Sequence, residues 1–487
     1  MKYPIGIISF NRPQYLAELL KSLAEQAGDA LDDREIHLFQ DGGTVGQRQY
    51  ANQDDIEQCI AMFKSAFPSG FVHVSEENIG HIRNVLRMEE FFFTGEEPRP
   101  AAMFLEDDIV LSPHYVAAMD KLIRHSLDVG DISYVRCIHS GRYSIEDQRL
   151  NRHKTFLPPT GQMWAYGITR EYWLKERAAL DTFYGMALTH PYRELDHNVS
   201  QLQWWKLGAP IVFHELDYGK VRASIHLGYS QLSTYCVMAR YIGMQGVHFN
   251  AGIYEQQGWH LLQMFNEALE SFEFPSTEEK RAAITVLRET DIAEQHIKLN
   301  LGNEGESTPT PGWLNLNRKY GFDFANTQLQ QFSENSVEVV YSSHVLQRFQ
   351  PQQSLALLRD VHRVLKPAGT VRISGLSLNM MTEQMLRGES RMEQFLDSFW
   401  PERERSQNAR THYLRLLGNH SDLCCSPSEY GQVTPLDFHQ VAYMLIAAGF
   451  EPTRIRRCQF RSSSLPELRE GPFDSRPNHS YFVEAVK

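Results

Sequence analysis

The sequence predicts an α/β protein of two domains, each built on a mainly parallel sheet. Short apolar runs alternate with amphipathic helical stretches through the first half, and a second strand-helix series starts at HIKLNLG near residue 296. A length of 487 residues also exceeds what one hydrophobic core organises.

YPIGIISF reads as the first strand, and NRPQYLAELLKSLAEQ as the helix after it, with Leu16, Leu19, Leu20 and Leu23 at helical spacing and Pro13 at a helix start. EIHLFQ is the second strand and ends at Asp41-Gly42-Gly43; FVHVSEE is the third, followed by the helical IGHIRNVLRMEEFFF. AAMFLEDDIVL reads as one further strand, with Ser112 and Pro113 as N-cap and first turn of VAAMDKLIRHSL. From Trp259 to Ile297 the pattern turns helical and charged, and EKRAAITVLRET has the character of a connecting helix. The expected organisation is a first domain over 1–265, a helical linker over 266–295 and a second domain over 296–487, closed by the strand YFVEAVK.

The formal net charge of -12 and a pI near 5.9 argue against an extended nucleic-acid-binding face. The expected partners are small molecules or carbohydrates; a homo-oligomer is compatible with the sequence, which does not fix the oligomeric state. The six cysteines show no paired metal-ligand spacing and read as reduced thiols. MKYPIGIISFNRP enters a strand directly, without the pattern of a signal peptide, and VAYMLIAAGF is about half of the ~20 residues that span a bilayer. These features predict a cytoplasmic protein without a transmembrane segment, with peripheral docking at an inner membrane left open. The Asn-x-Ser sequons at Asn198, Asn419 and Asn478 read as chance occurrences.

The stretch FLEDDIVL sets Glu106, Asp107 and Asp108 in an apolar strand. Ionised carboxylates leave water only at a cost of several kcal/mol each unless something pairs with them, and a divalent cation is one such partner. In an extended strand Glu106 and Asp108 share a face and Asp107 points away. Hard oxygen ligands select Mg2+ or Mn2+, commonly with substrate phosphates completing the shell. The alternative is a solvated acidic turn at a strand end.

IISFNRPQYLAELLKSL, IHLFQDGG and MFLEDDIVLSPHYV, in that order, resemble the GT-A fold glycosyltransferases, in particular the N-acetylglucosaminyltransferase I group and its bacterial relatives. The likeness covers roughly residues 1 to 260 and implies a Rossmann-like mixed sheet. It implies that Arg12 lies beside the nucleotide diphosphate or base and that Asp41 accepts a hydrogen bond from the base, which favours a UDP-linked sugar. Glu106 and Asp107 would lie near the ribose and sugar, and Asp108 would ligate Mn2+ or Mg2+. His81 and Arg83 in NIGHIRN would approach the donor. In HPYRELDHNVSQLQWW, Asp196, or failing it Glu194, would be the general base of an inverting transfer. VRASIHLGYS resembles the later loop that closes over the donor, with His226 as a second metal or phosphate contact. Gly161, Trp164 and Tyr166 resemble the acceptor side, although such aromatics serve equally as core. Arg12 and Asp41 have plain alternatives as a surface cation and a turn residue.

IKLNLGNEGE, PGWLNLN, SENSVEVVYSSHVLQRF, LRDVHRVLKPAGTVRIS and NHSYFVEAVK resemble a class I S-adenosylmethionine-dependent methyltransferase. Three positions depart from that pattern. Gly302 is followed by Asn303 and Glu304 before Gly305, Asn317 stands where a ribose-binding carboxylate is usual, and Gln347-Arg348 replaces a Glu-His pair; Asp323 stands where an adenine contact is expected. The expected function is a metal-dependent, inverting glycosyltransferase that moves a sugar from a nucleotide sugar to a glycan, lipid-linked or protein acceptor, with a second domain that kept its fold and lost its cofactor. The alternatives are a bifunctional enzyme that also methylates with S-adenosylmethionine, and a non-catalytic glycan-binding scaffold.

Overall fold

The apolar run Ile5–Ser9 forms strand β1 with every residue buried, and the chain passes through Arg12 into helix α1 (Pro13–Ala24). Pro13 suits the first helical position, whose amide has no partner in any helix. Leu16, Leu19, Leu20 and Leu23 form its buried stripe. The computed structural model describes residues 2–159, 161, 163–190, 194–212, 216–245, 250–302, 312–322, 324, 329–387, 436–470, 473–474 and 480–487. The chain divides into two compact units near Glu294, with residues 197–202 and 211–213 grouping with the second.

In the first unit the elements after α1 are β2 (Ile36–Gln40), a small hairpin β3 (Thr44–Val45) and β4 (Arg48–Gln49), α2 (Gln53–Ala66), β5 (Phe71–Val74), α3 (His81–Thr94), β6 (Ala101–Glu106) and β7 (Ile109–Leu111). Next come α4 (Tyr115–Val129), β8 (Ile132–Arg136), α5 (Ile145–Leu150), β9 (Thr155–Phe156), β10 (Ala165–Thr169), α6 (Arg170–Ala179), α7 (Asp181–Thr189) and α8 (His197–Lys206), of which only residues 203–206 group with this unit. Then follow α9 (Leu216–Leu227), β11 (Ser230–Thr234), β12 (Ala239–Tyr241), α10 (Ala251–Gln257) and α11 (Thr277–Glu294).

Eight strands form one sheet in the order β5-β2-β1-β6-β10-β8-β11-β9. β5, β2, β1 and β6 are parallel, and β10 runs antiparallel to β6 and β8. The chain builds outward from β1 to β5 and then crosses to β6 on the other side, so the order reverses between β1 and β6. The carboxyl ends of two such strands form a crevice where α/β sheets bind ligands.

Three local expectations differ from the structure. Ser112 and Pro113 are not the N-cap and first turn of α4, which starts at Tyr115 after His114. AAMFLEDDIVL is not one strand: β6 stops at Glu106, Asp107 and Asp108 form a turn, and β7 pairs antiparallel with β12 in a separate two-stranded sheet. Both aspartates reach Arg12 from this turn, so the alternation of faces that separated Asp107 from Asp108 does not apply. VRASIHLGYS is the end of α9 and the start of β11 rather than a loop.

The second unit contains β13 (Ile297–Leu301), β14 (Leu314–Leu316), β15 (Val337–Ser343), α12 (Pro351–Val364), β16 (Leu365–Leu376), α13 (Leu378–Arg387), α14 (Phe438–Ala448), β17 (Ile455–Cys458) and β18 (Ser480–Val486). Its six-stranded sheet has the order β14-β13-β15-β16-β18-β17, parallel through β16 and antiparallel at β18 and β17. The molecule is therefore a mixed α/β protein with two Rossmann-like sheets. Asn198 is fully buried and exchanges hydrogen bonds with Asn315, which leaves no room for a glycan there. Asn419, Asn478, Cys424 and Cys425 lie outside the described residues; Cys59, Cys137, Cys236 and Cys458 are free thiols. Among the described residues no helix is long and apolar enough to cross a membrane.

Candidate functional site

The crevice between β1 and β6 gathers Arg12, Glu106, Asp107 and Asp108. Arg12 enters from the turn between β1 and α1, and its guanidinium pairs with Asp107 through Nη2 and with Asp108 Oδ2 through Nη1 at 2.7 Å. Asp107 and Asp108 are each 2% exposed, and Asp107 Oδ2 and Asp108 Oδ1 are buried without a hydrogen-bond partner. The chain after β12 crosses directly over them: the amide of Ile242 donates to Asp108 O at 2.9 Å, and a Cβ on Gly243 would lie 2.5 Å from Asp108 Oδ2. A side chain there would have to displace Tyr241 Oη or the Asp108 carboxylate.

His81, at the start of α3, places Nε2 3.7 Å from Glu106 Oε1. Burial raises the Glu106 carboxyl well above its ordinary range, with the charges of Asp108 and Asp217 adding to the effect. Burial likewise pushes Asp107 up to about 7 in spite of Arg12. Asp108 and Asp217 are raised for the same first reason. Burial alone would lower Arg12, and the charges of Asp107 and Asp108 more than reverse this. Asp107 and Asp108 are buried and Glu106 and Asp217 half-buried; Arg12 opposes the rise at Glu106, Asp107 and Asp108, and His81, Lys220 and Arg136 oppose it at Asp217.

Among the described residues no group of three or more His, Cys, Asp or Glu forms a metal cage. The donor set still fits a divalent cation that is completed by substrate: two hard, unpartnered carboxylate oxygens are what Mg2+ takes from protein when phosphates and water supply the rest. Asp107 Oδ2 and Asp108 Oδ1 would hold it.

Asp41 occupies the end of β2, with its amide donating to Ser9 O at 2.9 Å. Its Oδ1 accepts from the amides of Gly42 and Ile79, both at 2.8 Å, and its Oδ2 from the amide of Gly80 at 3.0 Å and Asn78 Nδ2 at 3.1 Å. Four donors fill the capacity of a carboxylate. Asp41 therefore fixes the 78–80 turn and, through it, the position of His81. Arg83 donates Nε to Ala187 O at 2.8 Å. Glu194 is exposed and Asp196 half-buried just ahead of α8, and His226 is exposed in the last turn of α9, whose backbone receives Arg288. Trp164 stacks on Tyr241 at 4.1 Å, whereas Tyr166 is a core residue whose hydroxyl donates to Glu89.

Sequence reasoning missed Asp217 and a second buried cluster. Lys220 Nζ lies 2.8 Å from both Glu89 Oε1 and Glu176 Oε1, with all three side chains fully buried. Tyr166 and Trp173 complete Glu89, and Tyr184 donates to Glu176 at 3.0 Å. One signal was available: Glu89 falls on the stripe of Val85, Leu86, Met88, Phe92 and Phe93, where α3 is otherwise apolar.

In the second unit the corresponding edge lies at the carboxyl ends of β13, β14 and β15. Gly302 follows β13 at φ +77°, and a Cβ there would meet Val345 Cγ2 at 2.2 Å. Asn317 is buried after β14. Gln347 Oε1 accepts the amide of Leu376 at 2.9 Å, so this side chain braces β16. Asn303, Glu304, Gly305 and Asp323 lie outside the described residues.

Residues 309–373 match the family described as "Methyltransferase domain". No curated protein sequence matches the chain. Among solved structures the chain is similar to one described as "PigF with SAH", at 14% identity over 41% of this chain and 52% of that one, with a TM-score of 0.23. It is also similar to S. aureus TarS, at 12% identity over 50% of this chain and 37% of that one, with a TM-score of 0.27. A third is a SAM dependent methyltransferase from Archaeoglobus fulgidus, at 12% identity over 39% of this chain and 86% of that one, with a TM-score of 0.22. The chain spans about half the length of the first of these structures.

Proposed function

We propose that the chain is a two-site transferase. The second unit takes S-adenosylmethionine as methyl donor, and the first moves a sugar from a nucleotide sugar, UDP-linked foremost, to a glycan, lipid-linked or protein acceptor. The observation that carries the reading is the methyltransferase-domain match over 309–373, which runs through β14, β15 and α12 into β16. S-adenosylmethionine supplies an electrophilic methyl group when bound. The Asn317 amide would hydrogen-bond its ribose in place of a carboxylate.

For the first unit, support comes from the unpartnered oxygens of Asp107 and Asp108 beneath Arg12 at the reversal of strand order. A divalent cation held there would neutralise charge on the diphosphate leaving group. Arg12 balances the same charge from the protein side, and His81 borders the Glu106 side of the crevice. Asp196, or failing it Glu194, takes the acceptor proton, giving inversion.

Titration calorimetry of the whole chain with S-adenosylmethionine and S-adenosylhomocysteine tests the second unit, and a thermal-shift series with UDP, with and without Mn2+, tests the first. Binding of S-adenosylmethionine, and a UDP shift that requires Mn2+, are the expected results. Silence in both experiments would overturn the proposal. A second reading, in which the second unit keeps its fold without the cofactor, is favoured by the engagement of Gln347 with Leu376. It requires the UDP response without any S-adenosylmethionine heat.

A further inference from the structure

The amino ends of β2 and β5 and the end of α3 enclose a concavity of about 490 Å3, at the edge of the first unit's sheet opposite the Arg12 crevice. Its aromatic walls are Phe71, 51% exposed, and Phe91, 45% exposed. His37 lines it at only 4% exposure, stacked on Phe71 at 4.6 Å with Phe92 edge-on at 5.0 Å. His37 Nδ1 meets His73 Nε2 at 3.0 Å, whereas His37 Nε2 is buried with no hydrogen-bond partner, and Glu35 Oε2 stands 3.7 Å from it. Burial lowers the His37 imidazole to about 4 and so keeps it neutral. When its Nδ1 donates to His73, Nε2 offers a free lone pair.

Glu35, Glu90, Glu96 and Glu97 line the same concavity. Arg99 pairs with Glu35 at 2.7 Å and reaches Glu97 at 3.8 Å, and Arg177 pairs with Glu90 at 3.1 Å. Four carboxylates against these two guanidiniums leave an excess of two negative charges. We propose that this concavity binds a primary ammonium ion, either free or carried on a lysyl side chain. Such an ion donates N–H to His37 Nε2, meets the acidic surround and lies against the faces of Phe71 and Phe91. An anion is repelled, a neutral apolar ligand leaves Nε2 unsatisfied, and the described residues offer no third ligand for a metal. The inference is independent of the activity proposed above.

Calorimetry of the whole chain with n-butylammonium, Nα-acetyl-lysine methylamide and tetramethylammonium chlorides tests it, with thermal melts confirming that the variants fold. The primary ions are expected to bind about tenfold more tightly than tetramethylammonium, which has no N–H for His37. Phe71→Ser and Glu96→Gln, both at exposed positions, are each expected to weaken binding about threefold. Tighter binding of the lysine derivative identifies a protein-borne ligand; equal or tighter binding of n-butylammonium identifies a free amine. No heat from either primary ion up to about 10 mM, tetramethylammonium binding as well as they do, or binding unchanged in the Phe71→Ser/Glu96→Gln double variant would each overturn the proposal.

Discussion

Replacing Asp41 by alanine removes the acceptor of four donors at once: the amides of Gly42, Ile79 and Gly80 and the side-chain amide of Asn78. Asp41 is 3% exposed, and a Cβ on Gly42 would lie 2.5 Å from the backbone of Glu77, so the 75–80 segment packs too closely for water to replace every bond. Each buried donor left unsatisfied costs about 1–3 kcal/mol, and partial rehydration at the half-buried end brings the expected total to about 3–5 kcal/mol. Urea unfolding of the Asp41→Ala chain, read on the transition of the first unit, measures that loss. Hydrogen exchange provides the local check, since the amides of Ile79 and Gly80 should lose protection while those of β1 keep theirs until global unfolding. A loss below about 1 kcal/mol, or unchanged exchange at Ile79 and Gly80, would refute the assignment of Asp41 as the clamp of this turn.

Lys220→Met strands Glu89 and Glu176 in the interior and should cost about 3–5 kcal/mol in the same urea assay; a neutral outcome would mean that the cluster is not closed to water. Burial raises the Glu176 carboxyl to about 7, so between about pH 4.5 and 7 the folded chain holds a proton that the unfolded chain releases. Stability should fall as pH rises through that window, and Glu176→Gln should flatten the fall by up to about 3 kcal/mol, measured as the difference in urea stability between pH 5 and pH 8. Arg12→Ala leaves Asp107 and Asp108 without their cation, so Mn2+ should raise the melting temperature of this variant more than that of the parent; equal shifts would separate Mn2+ from these aspartates. Gly243→Ala drives a Cβ to 2.5 Å from Asp108 Oδ2 and should abolish the Mn2+-dependent UDP response while leaving the melting temperature of the second unit unchanged.

Much of the α/β framework was legible because its elements are locally consistent. In β1 and α1 the apolar period, Pro13 and the buried leucines agree, and the strand-helix series of both units carries the same kind of agreement. What the sequence hid depends on partners distant along the chain. The turn at Asp107 is invisible in FLEDDIVL because β-forming residues flank it on both sides; it is set by Arg12 and by the pairing of β7 with β12. The donors that fill Asp41 come mostly from residues 78–80, so its pairing with two glycines pointed to an ordinary turn or a base contact. Asp217 and Lys220 sit on α9, a helix whose apolar residues are not segregated to one face, and no periodicity marked them.

The β7–β12 pairing also sets an order of assembly. Arg12 and the acid triple are synthesised early, yet Ile109–Leu111 finds its strand partner only when Ala239–Tyr241 arrives. Contacts that wait for so long an intervening loop form late and pay their closure entropy before any reward. During synthesis, then, Arg12 and Ser22 engage the acidic turn and the Leu111 amide early, and a nascent chain arrested before residue 238 should show β1 and β2 protected from exchange while the amide of Ser112, which donates to Met238 O at 2.8 Å in the complete chain, remains exposed.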